Sequence, residues 1–566
     1  MSSSKNNEST EHVNPQRQGT SSSGASTSGE DGPSNKKGSA LTFDVGPASH
    51  IEGHSIPSLV SPPAQPVPSR VASLTAKFHR VNRYLHLPLF ATGYNYGQAV
   101  AFSVYAFFIC FGCFYKTFTP AFGPKRAGFI ATGQYPIIFA LGAKNNVVGF
   151  MLGVGYEKLN AWHRWVGKMM FVSSMAHVVG YLVRWTAAGR LVSGSQRQPH
   201  GWAAFAGLCL LSVISIPPIR KYSYGMFWHA HWMGYVMMIV GMVWHADDGW
   251  KWSVAASVII IFDQICRLFK TSFTYATITA VPELGCTRVE VPHLTRGWRA
   301  GQHVRLRTVS TVMGAFDALE AHPMTIATVS ESSGREGVVL YVKKAGDWSN
   351  RLYEAAKGPE KGEISEKGIE SEGEKSTKMR MIIEGPYGGP GHDVLSSFSS
   401  AFIVAGGSGI TFGLSSVDEI IREAEKGLAK TKLIEFIWVI QDPASLLHMM
   451  LVLQTFVNRV ARLPTLDIKI DVFYTRAMSG NIPETLNNGF NLPANVTLSP
   501  GRPKFDAMLD HFVDRTRQLP EGPEGLHGTV VGCCGPESLC HSVKRAELSI
   551  KGRKRDAVGG IEVVEE

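Results

Sequence analysis

Between about residue 95 and residue 270 the sequence carries six long apolar stretches, near 96–115, 128–143, 161–183, 201–218, 226–246 and 251–269. Most come close to the ~20 residues that a bilayer-crossing helix needs. The rest of the chain reads as ordinary polar protein, so this chain folds in two solvents, and its mean hydropathy near zero is the average of the two. Six spans are expected, the second and fourth being short. An even number puts both termini on one side, and the large polar C-terminal half makes that side the cytosol. Loop Lys and Arg residues are biased the same way, and the net charge of +10 fits cationic cytosolic loops. With no recognised nucleic-acid-binding motif, that charge does not indicate a nucleic-acid partner. The 8 cysteines are scattered, which excludes a secreted disulfide scaffold.

A length of 566 residues predicts three or four folded units. Residues 1–70 form a Ser/Gly-rich tail with too little apolar content to fold, and without the apolar run of a signal peptide. The helical membrane unit takes 95–270. Short β-rich runs (FTYATITAV, CTRVEVP, HVRLRTV, GVVLYVKK, MRMIIEG) then predict an antiparallel β-barrel over 271–390, with a charged low-complexity insert at 357–379. Over 398–566 apolar strands (AFIVAGG, LIEFIWVIQ, IKIDVFYT, GTVVGCCG) alternate with helical stretches, the pattern of a doubly wound parallel α/β domain.

Ionisable residues inside a membrane are costly and mark function by default. The third apolar stretch contains His163 and His177, the fifth His231 and His245, each pair fourteen residues apart. Fourteen residues make ~3.9 helical turns, so the members of a pair share one face about 21 Å apart along the axis. A single membrane histidine is as readily a hydrogen-bonded interior residue; the doubled spacing argues otherwise. Two such helices can hold two stacked haems, each iron taking one imidazole from each helix. If the hairpins alternate, His163 levels with His231 on the cytosolic side and His177 with His245 on the far side. His229 is the rival ligand, but it stands about 160° out of phase with His245.

The polar half carries HPMT (322–325), VKKAGDWS (342–349), GPYGG (385–389), GGSGIT (406–411) and CCGP (533–536) in that order. Together with the histidine pairs, from about residue 95 to 566, the chain resembles the fungal ferric reductases, within the ferric reductase and NADPH oxidase superfamily. The resemblance implies that His322, Pro323, Met324 and Thr325 lie along FAD, with Met324 where relatives usually have Phe. It implies that Lys343, Gly346 and Ser349 hold the flavin pyrophosphate. Gly406, Gly407 and Gly409 open a helix after a strand, where bare backbone and helix N–H groups suit the pyrophosphate of a nicotinamide nucleotide. By the same resemblance Thr411, Cys534 and Pro536 lie beside the nicotinamide, and Arg476 and Arg502 hold the 2′-phosphate of NADPH. Gln441 stands where relatives often have Arg. Many relatives end in aromatic residues that cover the flavin; this sequence stops at IEVVEE, so either it is truncated or the flavin is covered otherwise.

What the resemblance implies is an NADPH-dependent ferric-chelate reductase of the plasma membrane. It would pass electrons from cytosolic NADPH through FAD and two b-type haems to ferric iron across the bilayer, in support of iron uptake. Ferric chelates or siderophores would be its substrate, cupric ion a further acceptor, and an iron permease or oxidase its partner. Asp247 and Asp248, directly after His245, would help to collect the metal, or would be a solvated loop. A superoxide-generating NADPH oxidase shares every one of these parts. An inactive haem-binding scaffold would keep the histidines without turnover.

Overall fold

Asn95 starts the helical half: its side chain accepts from the Gln98 N–H while the Gln98 side chain accepts from the Asn95 N–H, a reciprocal cap. The computed structural model describes residues 81, 84–85, 87, 89 and 94–566, apart from 117–122, 191–194, 311–312, 315–319, 331–336, 359–375, 477–491, 494 and 521–524. The N-terminal tail and most of the charged insert lie outside the described residues. From the cap follow α1 (Tyr96–Phe114), α2 (Pro124–Gly133), α3 (Tyr135–Gly142), α4 (Val147–Leu152), α5 (Tyr156–Ala187), α6 (Gln198–Ile214), α7 (Pro217–Tyr222), α8 (Tyr224–His245) and α9 (Gly249–Phe269).

Helices thus stand at all six apolar stretches, with the second divided in two. Pro136, in the first turn of α3, has no N–H to continue α2. Gln134 fills the break, its amide donating to Ile130 O and Ser173 Oγ and its oxygen accepting from the Tyr105 hydroxyl. Among the described residues, three helices are long and apolar enough to cross a membrane: α1, α5 and α9. The expected count of six is not met on that measure. α2 and α3 have 10 and 8 residues and α6 has 17, while α8 has 22 but carries His229, His231 and His245.

α6 and α8 pack most closely, glycine against backbone. A Cβ on Gly207 would lie 2.6 Å from Gly234 O, and one on Gly241 would lie 2.7 Å from both His200 O and Ala204 N. Small residues allow this approach where lipid removes any hydrophobic drive between helices.

After α9 the chain enters β1 (Thr271–Val281), β2 (Cys286–Val291), β3 (Gln302–Thr308), β4 (His322–Thr325), β5 (Val338–Lys343), helix α10 (Asp347–Lys357) and β6 (Ser376–Gly388). These strands form one antiparallel sheet in the order β4-β3-β6-β1-β2-β5. Ala327 N–H donates to Val339 O at 2.9 Å, tying the end of β4 to β5 and almost closing the sheet into a barrel. Alternate residues such as Ile278, Val289, Leu306, Leu340 and Met381 fill its interior, together with Trp348 and Leu352 of α10.

The last unit is a parallel sheet ordered β10-β9-β8-β7-β11-β12. Its elements are β7 (Ser400–Gly406), α11 (Ile410–Glu425), β8 (Leu433–Ile440), α12 (Ala444–Val460), β9 (Asp467–Tyr474), β10 (Val496–Pro500), α13 (Phe505–Arg517), β11 (Thr529–Cys534), α14 (Glu537–Ser549), α15 (Gly552–Ala557) and β12 (Ile561–Glu565). Strand β7 is fully buried; Ala401, Ile403 and Ala405 face the layer of α11 and α12, and Phe402 and Val404 that of α13 and α14. That two-sided burial explains why these strands read as unbroken apolar runs.

Because a Cβ at Gly207 meets backbone, Gly207→Ala should force α6 and α8 apart at a cost of about 1–3 kcal/mol. Thermal unfolding in detergent should show a lower midpoint, while Gly133→Ala, with open space around its Cβ position, should leave it unchanged.

Candidate functional site

The four membrane histidines meet two by two. His163 of α5 faces His231 of α8 with ring centres 6.2 Å apart, and His177 faces His245 at 5.9 Å. His229 is exposed, its ring against Trp228. Three of the paired imidazoles are oriented by the same bond. Nδ1–H of His163 donates to Ile138 O at 2.9 Å, that of His177 to Pro124 O at 2.6 Å, and that of His245 to Arg197 O at 3.2 Å. A histidine bonded through Nδ1 is left with Nε2 as its ligating nitrogen. His231 Nδ1 is buried and has no partner among the described residues.

A metal–imidazole bond of about 2.0–2.1 Å, with about 1.2 Å more from nitrogen to ring centre, sets two opposed imidazoles on one ion roughly 6.4 Å apart. Both observed separations suit that. Among the described residues no group of three or more His, Cys, Asp or Glu converges. Two protein ligands are few for a bare ion, yet they are the number required by an iron whose other four positions belong to a macrocycle. Seven residues from each histidine, Met170 and Met238 are buried in the bundle core with Tyr135 and Leu208, an apolar layer between the pairs. A cavity of about 490 Å³ adjoins His177 and His245 and reaches inward to this layer.

Asp247 and Asp248 line the mouth of that cavity. Asp247 pairs with Arg197 at 2.5 Å and Asp248 with Lys251 at 2.7 Å. Both carboxylates thus hold a cation in an exposed surface pair, a weak interaction that leaves them open to solvent.

Where the bundle meets the antiparallel sheet lies a charged cluster that the sequence reading did not find. Glu384, 2% exposed, accepts from Arg267 Nε at 2.9 Å, Arg307 at 3.2 Å and the Tyr387 hydroxyl at 3.0 Å. Arg305 and Lys144 lie 3.6 and 3.8 Å away. Burial alone would raise the Glu384 carboxyl; the bonds from Arg267, with the charges of Lys144 and Arg305, outweigh it and hold the group at about 2. Burial, then Arg305 and Arg267, push Lys144 down to about 6. Burial, then Lys144 and Arg305, lower His303 to about 4, leaving it neutral beside the Tyr156 hydroxyl at 3.3 Å. The signal available in the sequence was the alternation in HVRLR, which puts Arg305 and Arg307 on one face of a strand.

His322, Pro323, Met324 and Thr325 constitute β4, an edge strand opposite Leu306, Arg305, Val304 and His303. The His322 ring stacks on Trp348, centres 4.0 Å apart and planes 21° from parallel. Lys343 is exposed at the end of β5. Ser349 closes its own loop: its hydroxyl accepts from the Ala345 and Gly346 N–H groups and donates to Gly346 O. In this state it shapes the turn before α10, and neither it nor the Gly346 N–H is a free donor.

Strands β7 and β11 are parallel neighbours, Ala405 opposite Cys534, and the strand order reverses between them. Crevices at the carboxyl ends of such strands bind ligands. Here Gly406, Gly407, Gly409, Thr411, Cys534 and Pro536 come together. A Cβ on Gly409 would be 2.3 Å from Cys534 O, and one on Gly406 would be 2.8 Å from Pro536. Gly407 has φ +54° and its carbonyl accepts from Trp438 Nε1. Burial, then Cys540 and Glu566, push the Cys534 thiol up to about 12, so it stays protonated and neutral. Arg476 and Arg502 are exposed just after β9 and β10, without an ion-pair partner among the described residues. The Arg476 N–H bonds Gln441 O, which puts Gln441 at the same rim.

Three family models match in succession: a ferric reductase like transmembrane component over residues 127–242, an FAD-binding domain over 271–391 and a ferric reductase NAD binding domain over 398–547. Among similar proteins, the Saccharomyces cerevisiae ferric/cupric reductase transmembrane component 7 is 26% identical, over 50% of this chain and 45% of its own. The ferric reductase transmembrane component 5 of that yeast is 25% identical, over 78% of this chain and 60% of its own. A probable cell surface ferric reductase of Aspergillus oryzae is 26% identical, over 57% and 44%. The chain thus spans about half the length of the relatives it matches.

Replacing Glu384 by Gln leaves several partly buried cations without their carboxylate, which costs about 3–5 kcal/mol. The folded value near 2 lies below the ordinary 4.5, so the contribution of Glu384 is complete above pH 4.5 and is lost as pH falls toward 2. Unfolding midpoints across that window should fall with acid in the parent protein, and Glu384→Gln should start lower and fall less.

Proposed function

Because ferric reductase transmembrane, FAD-binding and ferric reductase NAD-binding models match the chain in succession, we propose that it is a transmembrane, NADPH-dependent ferric-chelate reductase. Electrons would leave cytosolic NADPH and reach ferric chelates or siderophores, and cupric ion, on the other side of the membrane. The observation that carries this reading is the meeting of His163 with His231 and of His177 with His245 in a helical unit joined to FAD- and NAD-binding domains. Six helical passes, the plasma membrane, a role in iron uptake and an iron permease or oxidase partner belong to the same proposal.

When bound, NADPH supplies a hydride, FAD turns the pair of electrons into single ones, and two b-type haems carry those across. The residues hold and orient. Gly406, Gly407 and Gly409 keep the crevice at β7 free of side chains, and the N-terminus of α11 offers N–H groups to a pyrophosphate. The Arg476 and Arg502 guanidinium groups, exposed at the rim, suit the 2′-phosphate that distinguishes NADPH. Cys534 offers the nicotinamide a neutral thiol. Pro323, Met324 and Thr325 give the flavin a strand edge, with Lys343 charged nearby for its phosphates, while the His322–Trp348 stack stiffens that edge. His163 with His231, and His177 with His245, would each hold one haem iron, and two imidazoles per iron would favour electron transfer over binding of an external ligand.

NADPH-energised membranes holding the intact chain should reduce a ferric chelate without oxygen, and His177→Ala should lose at least tenfold in rate. Reduction that needs oxygen and disappears with a superoxide scavenger would instead identify an oxidase. Arg502→Ala should raise KM for NADPH and leave KM for NADH unchanged in steady-state assays of flavin reduction.

A further inference from the structure

Each of the three paired histidines bonded through Nδ1 rests on a glycine placed four residues after the carbonyl it uses. His163 bonds Ile138 O and lies against Gly142; His177 bonds Pro124 O and lies against Gly128; His245 bonds Arg197 O and lies against Gly201. A Cβ at these glycines would come within 3.1, 2.5 and 2.3 Å of the imidazole atoms. In a helix the residue four positions on lies one turn above the carbonyl and covers it. Only a residue without Cβ lets a ring slide in edge-on and reach an oxygen already engaged by the helix.

The arrangement occurs three times on different helices, and the fourth histidine shows its absence. Gly128 and Gly142 are fourteen residues apart, the same interval as His163 to His177. Fourteen residues on from Gly201 the sequence has Ser215 instead of glycine, and His231 is the histidine whose Nδ1 has no partner among the described residues.

We propose that Gly142, Gly128 and Gly201 are positioning residues that fix the orientation and tautomer of His163, His177 and His245, each glycine serving one haem site. The inference rests on the bis-histidine reading given above. A Cβ at Gly128 or Gly201 acts on the His177–His245 site, and one at Gly142 on the His163–His231 site. An Nδ1–H bond to a carbonyl makes Nε2 the more basic ligand, so its loss also registers at the iron.

The test is the full-length protein purified in detergent, as Gly128→Ala, Gly142→Ala, Gly201→Ala and Gly133→Ala, without any turnover assay. Haem per chain is read by haemochrome absorbance, each site by its low-spin EPR signal and midpoint potential, and folding by bound FAD. The parent and Gly133→Ala should hold two haems. Gly128→Ala and Gly201→Ala should each drop to one haem, or shift one EPR signal and its potential, and it should be the same one. Gly142→Ala should affect the other. Two haems with unchanged signals in all variants would overturn the proposal, as would loss of both haems in every single variant, which is what general misfolding gives. A parent protein that binds FAD but no haem would defeat the bis-histidine reading itself, a different result from either.

Discussion

Glu384 is one carboxylate facing Arg267, Arg305, Arg307 and Lys144 in the seam between the helical unit and the antiparallel sheet, and the placing of one on the other depends on it. Arg267 is in the last turn of α9; two residues after that helix begins β1, whose Thr271 pairs in register with Glu384 itself. Ion pair and strand pairing therefore fix the same point from two sides. Taking charges out of water is expensive, and the expense is offset here by a fork of Arg267 bonds, a tyrosine hydroxyl and further cations. Burial first, and then the excess of positive charge in the seam, lowers both Lys144 and His303.

Beyond that seam the remaining two units differ in sheet type. An antiparallel sheet exposes a strand edge, and HPMT occupies one. A parallel sheet exposes the ends of its strands, and GGSGIT and CCGP occupy two that are adjacent. Neighbouring parallel strands that leave in opposite directions make a crevice without any dedicated residue, so the glycines need only keep it open.

Much of this was legible in the sequence because it rests on period. A spacing of fourteen on two helices declared which histidines share a face, and alternation of apolar runs with helical stretches declared a parallel sheet. What stayed hidden depends on partners distant along the chain. Glu384 in MIIEG reads as a strand residue, and its partners lie between 77 and 117 residues away for the two bonded arginines. Gly128 and Gly142 share the histidine interval, but glycine in a helix gives no sign of what lies against it. Asp247 and Asp248 read as candidate ligands because their cations, Arg197 and Lys251, are not visible as neighbours until the loop folds. The second apolar stretch reads as one helix although Pro136 divides it, since Gln134 repairs the break with bonds to Ile130, Ser173 and Tyr105.

The lengths of the segments are not equally free to change. Gly391 and Gly153 approach so closely that a Cβ on the first would lie 1.7 Å from the carbonyl oxygen of the second, and His392 caps the contact through a bond to Phe150 O. The loop before α5 is thereby clasped, backbone to backbone, by the segment that leads out of β6. An insertion on either side of the clasp would move His163, on α5, relative to the strand edge at His322. The clasp therefore sets the spacing between the helical unit and the antiparallel sheet, and on the proposed reading the distance between His163 and the flavin edge with it.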